Sequence, residues 1–375
     1  MRCCRFSSRA SGRSSLYDGQ MNTAPLRFER RRWLLTAIIV LLFPVASGAE
    51  PSPPEVDGLW VRPAETMPAE PVWGHADGLR IGLWPLAGPR GLLRVYAPYL
   101  GHRDDRMINY IAIEPIVRGE YWRGFSELED SQLDGIQGLR FWSADSPDDP
   151  SPNDPTLPCR GVVATDGDVE TLTVYMFVEP YRSGARVYLR LRFRSDRPYE
   201  VGIATFTQPR SAELATCIVT ATMGNFARLR TLHLRDGART AAQLWPGFDG
   251  LDFTDRVCFS LDDLPRAPDG AALLVATPDE PDPASATYAP GTFVGWRYYG
   301  DVATQIWRRE DPPSELRGCV NGRACYWASE SPIPGGVAFE NVELVEPFRE
   351  GNEVWFAVVP GLYEPAPTLA PLDGG

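Results

Sequence analysis

Between Thr171 and Asp196 the chain reads TLTVYMFVEPYRSGARVYLRLRFRSD, and no other run restricts the fold as tightly. Leu172, Val174, Met176 and Val178 alternate with Thr173, Tyr175 and Phe177. After a Ser183-Gly184 turn, Val187, Leu189, Leu191 and Phe193 alternate with Arg186, Tyr188, Arg190, Arg192 and Arg194. A side-chain period of two belongs to an extended strand. The run therefore predicts a β-hairpin with one aliphatic face and one face of aromatic rings and guanidiniums. Further strands are expected at GLLRVYAPY, MINYIAIEP, ELATCIVTAT, AALLVATP, FVGWRYYG, GGVAFENVELVEP and EVWFAVVP. No amphipathic helix of ten or more residues stands out. The 36 prolines and 34 glycines fit a turn-rich β protein. The expected fold class is all-β: a large antiparallel β-sandwich, or a supersandwich, with few short helices.

The folded region is expected over residues 73–362, in one domain or two subdomains. Exposed loops are expected at 144–158 (ADSPDDPSPNDPTLP) and 278–290 (PDEPDPASATYAP). The first could also be read as a calcium loop, but its five prolines stretch it out where calcium needs converging oxygens. Residues 50–72 are proline-rich and acidic and read as a linker or arm; residues 363–375 read as a polar tail. In two strand ends, AIEP and LVEP, a proline removes a ladder donor, so Pro115 and Pro347 are each expected to close a strand.

Residues 21–49 carry Arg27, Arg30, Arg31 and Arg32, then an apolar run from Trp33 to Phe43, then Ser47-Gly48-Ala49. That is the order of a secretory signal, cleaved after Ala49, with Met21 as the start and residues 1–20 as upstream translation. The apolar run is too short to span a bilayer, so the mature chain is expected in the periplasm or outside the cell with no membrane span. The chain contains no lysine, which excludes Schiff-base chemistry. After cleavage 29 arginines face 47 carboxylates, a net charge of −18. Such a chain repels nucleic acid. Export favours disulfides, and Cys319 and Cys325 around VNGRA are expected to bridge the base of a hairpin. Cys217 and Cys258, in apolar runs, read as small core residues.

The stretch RGFSELEDSQLDG (Arg123 to Gly135) holds four carboxylates after the aromatic pair Tyr121 and Trp122. Ser126 and Glu129 have the spacing of a helix-capping box, and Asp134-Gly135 marks a turn. Glu127 is the carboxylate these devices explain least. Glu114 shares a strand face with Tyr110 and Ala112. It reads either as an edge-strand charge or as a general acid with a raised pKa. Glu340 and Glu343 are expected on opposite faces of their strand. Of the three histidines, His102 in LGHRDDRMINY has the most polar setting and is the acid/base candidate. G-x-S-x-G, H-E-x-x-H, the P-loop and G-x-G-x-x-G are all absent, and no cofactor is expected. Tyr175, Tyr188, Arg190 and Arg192, with Trp122 as a further aromatic, are the candidate binding residues. Guanidinium forks match carboxylate or sulfate, and rings stack on sugars. The alternative for that face is a solvated sheet surface with paired charges.

INYIAIEPIVRGEYWRGFSELEDSQLDG and GGVAFENVELVEPF resemble a group of secreted proteins from environmental bacteria, which implies export and a β-rich fold. Chain length and strand density also resemble the β-supersandwich of galactose-mutarotase-like proteins, which includes carbohydrate epimerases and polysaccharide-lyase domains. The epimerase histidine motif has no visible counterpart. The expectation is a secreted protein that binds, and in an enzymatic version processes, an anionic glycan. The alternative is a non-enzymatic envelope or extracellular structural protein.

Overall fold

The computed structural model describes residues 50–83, 90–101, 106–149, 154–223, 228–279, 282, 288, 290, 298, 300–326 and 330–364. The signal segment, His102, residues 293–297 of the FVGWRYYG run and the tail beyond Glu364 lie outside the described residues, as do parts of both proline-rich loops.

Among the described residues, twenty strands form two sheets. The first contains β1 (Glu55–Asp57), β2 (Trp60–Arg62), β3 (Val72–His75), β4 (Arg80–Gly82), β5 (Leu93–Tyr96), β6 (Arg106–Val117), β12 (Leu214–Met223), β15 (Val257–Ser260), β18 (Arg317–Arg323) and β19 (Ala338–Val345). The second contains β7 (Phe141–Ala144), β8 (Val162–Asp166), β9 (Val169–Val178), β10 (Val187–Arg194), β11 (Arg197–Thr207), β13 (Leu229–Leu234), β14 (Gly237–Thr240), β16 (Ala272–Pro278), β17 (Ala303–Arg309) and β20 (Glu353–Pro360). Their spatial orders are β1-β2-β3-β4-β5-β6-β12-β19-β18-β15 and β14-β13-β16-β17-β20-β11-β10-β9-β7, with β8 also paired to β9. A single turn of helix, α1 (Ala241–Leu244), is closed by a Thr240/Gln243 capping box. No helix among the described residues is long and apolar enough to cross a membrane.

The expected hairpin forms in the expected register: Leu189 faces Met176 and Arg190 faces Tyr175. Along β10 every second residue is buried. Leu172, Val174, Leu189 and Leu191 meet Ile111, Ile113, Val219 and Leu344 of the first sheet in one core. Each such side chain contributes about 1.5–3 kcal/mol by leaving water. The architecture is thus a β-sandwich, as the alternation predicts. Strands β3, β4, β7, β8, β11, β13, β14, β15, β17 and β18 correspond to none of the expected runs. β11 opens on Arg-Pro-Tyr-Glu and β18 holds Gly318 and Gly322, both of which weaken a period-two signal. Residues 55–62, expected in the arm, instead form β1 and β2. There Trp60, 2% exposed, packs edge-on to His75.

Two local expectations are corrected. Pro115 does not close β6, which runs on to Val117. β5 pairs with β6 only as far as Ile111. Beyond that point the Ile113 N–H donates to Ser126 Oγ at 3.0 Å and the Gly124 N–H to the Pro115 carbonyl at 2.8 Å. The backbone nitrogen that proline lacks as a donor therefore points to the sheet edge, where no ladder partner is needed. Nor does Ser126 cap a helix. Residues 126–128 form a turn, and the buried Ser126 hydroxyl donates to the Gly91 carbonyl at 2.5 Å, pinning the 123–126 segment along the edge of β6.

The cysteines pair differently from expectation. Cys258 on β15 stands directly opposite Cys319 on β18, and these two are disulfide-bonded. No hairpin turns at VNGRA. The chain stays extended through Arg323 beside β19, and residues six apart on an extended segment are separated by up to roughly 20 Å. Cys325 is a buried free thiol near Arg323 and the Leu251 carbonyl. Cys217 does pack against the core, and burial pushes its thiol up to about 12.

Candidate functional site: an arginine groove and a separate buried acid cluster

The outer face of β8, β9 and β10 forms an open depression of about 400 Å³, within the range of ligand sites. Arg190, Arg192 and Arg194 line one side, as outward residues of β10 must. Their cross-strand partners Tyr175, Thr173 and Thr171 on β9 line the floor. Ala164 and Asp166 of β8 and Val169 of β9 complete the rim. A row of guanidiniums therefore runs beside a row of hydroxyls, set by strand pairing alone.

The charges in the groove are partly satisfied from within. Outward residues Gly202 and Ala204 of β11 lie opposite Arg192 and Arg190. Being small, they let Glu353 of β20 reach across. A Cβ on Gly202 would come within 3.0 Å of the Glu353 carboxyl carbon. Arg192 donates through Nε to Glu353 Oε1 at 2.8 Å and through Nη2 to Oε2. Arg194 forks Asp196 at 2.9 and 2.8 Å. Arg190 stands 3.5 Å from Glu353, and its buried Nε has no hydrogen-bond partner among the described residues. Its guanidinium carbon lies 5.6 Å from the centre of the Phe206 ring. Glu353, Asp196 and the rim carboxylate Asp166 thus balance the three guanidiniums in number, and Arg190 is the least engaged of the three cations.

Tyr175 lines the groove, but Tyr188 does not. The Tyr188 ring lies stacked between Phe177 and Phe206, with centroids at 5.2 and 5.0 Å, so both faces are taken. Trp122, 63% exposed beside the exposed Tyr121, lies on the segment that follows β6, away from the groove.

Glu114 belongs to a different place. It projects from the outer face of the first sheet, across the core from the groove, and is 3% exposed. Arg123 ion-pairs through Nε with Glu114 at 2.6 Å and through Nη2 with Glu343 at 2.7 Å; Arg256 reaches the other Glu343 oxygen at 2.5 Å. With Glu127, three carboxyl groups face two guanidiniums. Burial drives the Glu114 carboxyl well above the usual carboxylate range, against the pull of Arg123. Burial likewise pushes Glu127 up to about 7. Glu340 and Glu343 do not lie on opposite faces. A bulge at Asn321/Gly322 shifts the parity of β18 against β19. Glu340 then accepts from Thr222 Oγ1, on the face where Thr220 opposes Glu343. Burial raises it to about 7, with Arg323 opposing. Glu114 and Glu343 are thus buried and ion-paired to arginines that are themselves more exposed.

Glu353, Arg123 and Arg256 were missed by sequence reading. Strand parity could have found Glu353, two residues before the outward Trp355. Nothing local marks the other two, which act from loops. Among the described residues no group of His, Cys, Asp or Glu side chains is placed to hold a metal ion. Comparison with protein-family models, with curated proteins and with solved structures gives no match.

Proposed function

We propose that the protein is exported and binds an acidic glycan along the groove over β8, β9 and β10. The observation that carries this reading is the groove itself: a row of three guanidiniums, with Arg190 only loosely paired, beside hydroxyls and Tyr175, in a chain of net charge −12. A ligand carboxylate accepts from the guanidiniums, sugar hydroxyls exchange hydrogen bonds with Thr171 and Thr173, and a sugar face stacks on Tyr175. The signal-like N-terminus and the Cys258–Cys319 bond support export, since such bonds persist in oxidising compartments. Binding is favoured over catalysis. The groove's lining offers one carboxylate, Asp166, and the buried Glu114 faces away on the other sheet. Stacked sheets lie roughly 10 Å apart, too far for Glu114 to act on a ligand in the groove.

Titration calorimetry of the purified protein with acidic and neutral oligosaccharides, at two salt concentrations, tests the reading. Acidic chains are expected to bind and to weaken with added salt. Binding that ignores acidity, or none at all, would favour a structural role for this face.

A further inference from the structure

Arg190, Arg192 and Glu353 form a unit of two cations and one anion. Glu353 comes from β20, two strands away, over a clearing that Gly202 and Ala204 leave on β11. Its carboxylate is held flat against Arg192 by a two-pronged contact through Nε and Nη2. That is how a guanidinium holds a free carboxylate ligand. Arg190 keeps only the longer 3.5 Å approach, and its Nε is unpartnered among the described residues. The ring of Phe206 beneath it keeps it in place.

We infer that Glu353 is a built-in stand-in for the ligand's carboxylate, that Arg190 is the residue that receives the ligand's acid, and that the contest between the two carboxylates sets the groove's affinity. The inference rests on the acidic-glycan reading above and narrows it. The ligand class is a uronate-type sugar rather than a sulfated one, because the unit is already arranged around a planar, two-oxygen acid. One ligand carboxylate, not three, is recognised by charge. Arg192 and Arg194 are each forked to an internal acid, and the unit's one uncompensated charge can be neutralised by a single added anion. Glu353 serves here as a specificity-setting residue: it raises the threshold an incoming acid must exceed and lets weak anions pass by.

The test is calorimetric titration of the purified full chain with tetragalacturonate, its methyl ester and a sulfated tetrasaccharide. Five proteins are compared: wild type, Glu353→Gln, Glu353→Asp, Arg190→Gln and the Glu353→Gln/Arg190→Gln double variant. Melting curves confirm that each is folded. Glu353→Gln is expected to bind tetragalacturonate about tenfold more tightly than wild type. Arg190→Gln is expected to weaken it about tenfold, and the double variant to be no tighter than Arg190→Gln. Glu353→Asp, which withdraws the carboxylate without removing it, should fall between wild type and Glu353→Gln, and carries the test where the glutamine variant does not fold. Wild type binding tetragalacturonate while neither Glu353 variant binds more tightly overturns this inference and leaves the groove reading intact. Sulfated chains binding as tightly as the uronate overturn the carboxylate assignment. No binding to any of the five proteins overturns the groove reading and this inference with it.

Discussion

Replacing Glu340 by glutamine should make the protein more stable in alkali and leave it nearly unchanged in acid. Glu340 is 4% exposed. One of its oxygens accepts from Thr222 Oγ1 at 3.3 Å, and the other has no hydrogen-bond partner among the described residues. Burial lifts the carboxyl from 4.5 to about 7. A folded-state pKa above the unfolded one means that the folded chain holds the proton more tightly. The stabilisation is then complete below pH 4.5 and is lost as pH rises through 7. The rise from 4.5 to about 7 corresponds to about 3 kcal/mol in full, most of it lost between pH 5 and pH 8. Glutamine keeps the shape and the acceptor and has no proton to lose. Urea unfolding of both proteins, followed by tryptophan fluorescence at pH 5, 6, 7 and 8, should show the variant gaining on wild type by about that amount. Two curves that stay parallel across this range would refute the reasoning, because the buried carboxyl would then titrate as it does in the unfolded chain.

A non-reducing tryptic map should link Val257–Arg266 to Gly318–Arg323 and leave the Cys325 peptide unlinked, since cleavage after Arg323 separates Cys319 from Cys325. Reducing that bond, which spans 61 residues, should cost about 4 kcal/mol on the chain-entropy account, read as a lower melting temperature. Tyr188→Ala should lower stability by about 1–3 kcal/mol through two lost ring stacks. It should leave glycan affinity unchanged; a tenfold loss of affinity in a folded variant would put Tyr188 back in the site.

Where a side chain's role follows from its own strand, the sequence was legible. The alternation from Leu172 to Phe193 predicts the hairpin, the buried face and the outward row Arg190, Arg192 and Arg194. Where a role depends on what arrives from elsewhere, it was not. Nothing near Arg192 announces Glu353, which lies 161 residues on. Parity placed Glu340 and Glu343 on opposite faces, and one bulged residue on β19 cancelled that. Ser126 and Glu129 have the spacing of a capping box, yet β6 has an open edge past Ile111, and the ladder groups there take the serine hydroxyl instead. The disulfide was misjudged for a similar reason. Sequence nearness favoured Cys325, whereas sheet order brings Cys258 alongside Cys319.

The strand orders also bear on how the molecule is assembled. β1 to β6 lie in the first sheet in chain order, and β7 to β11 form a local group at one end of the second. Each group can zip up from neighbouring chain alone. The later strands sit at the opposite ends, and the joins are made by β12 meeting β19 and by β20 slotting between β17 and β11. Both seams therefore wait for residues 338–360. Contacts this distant in sequence close slowly, and until they close, β11 and β12 present raw edges to any passing strand. A chain ending before Ala338 would hold two half-sheets and complete neither. The same strand that closes the second sheet delivers Glu353 to Arg190 and Arg192, so this pair gains its carboxylate only when that seam closes.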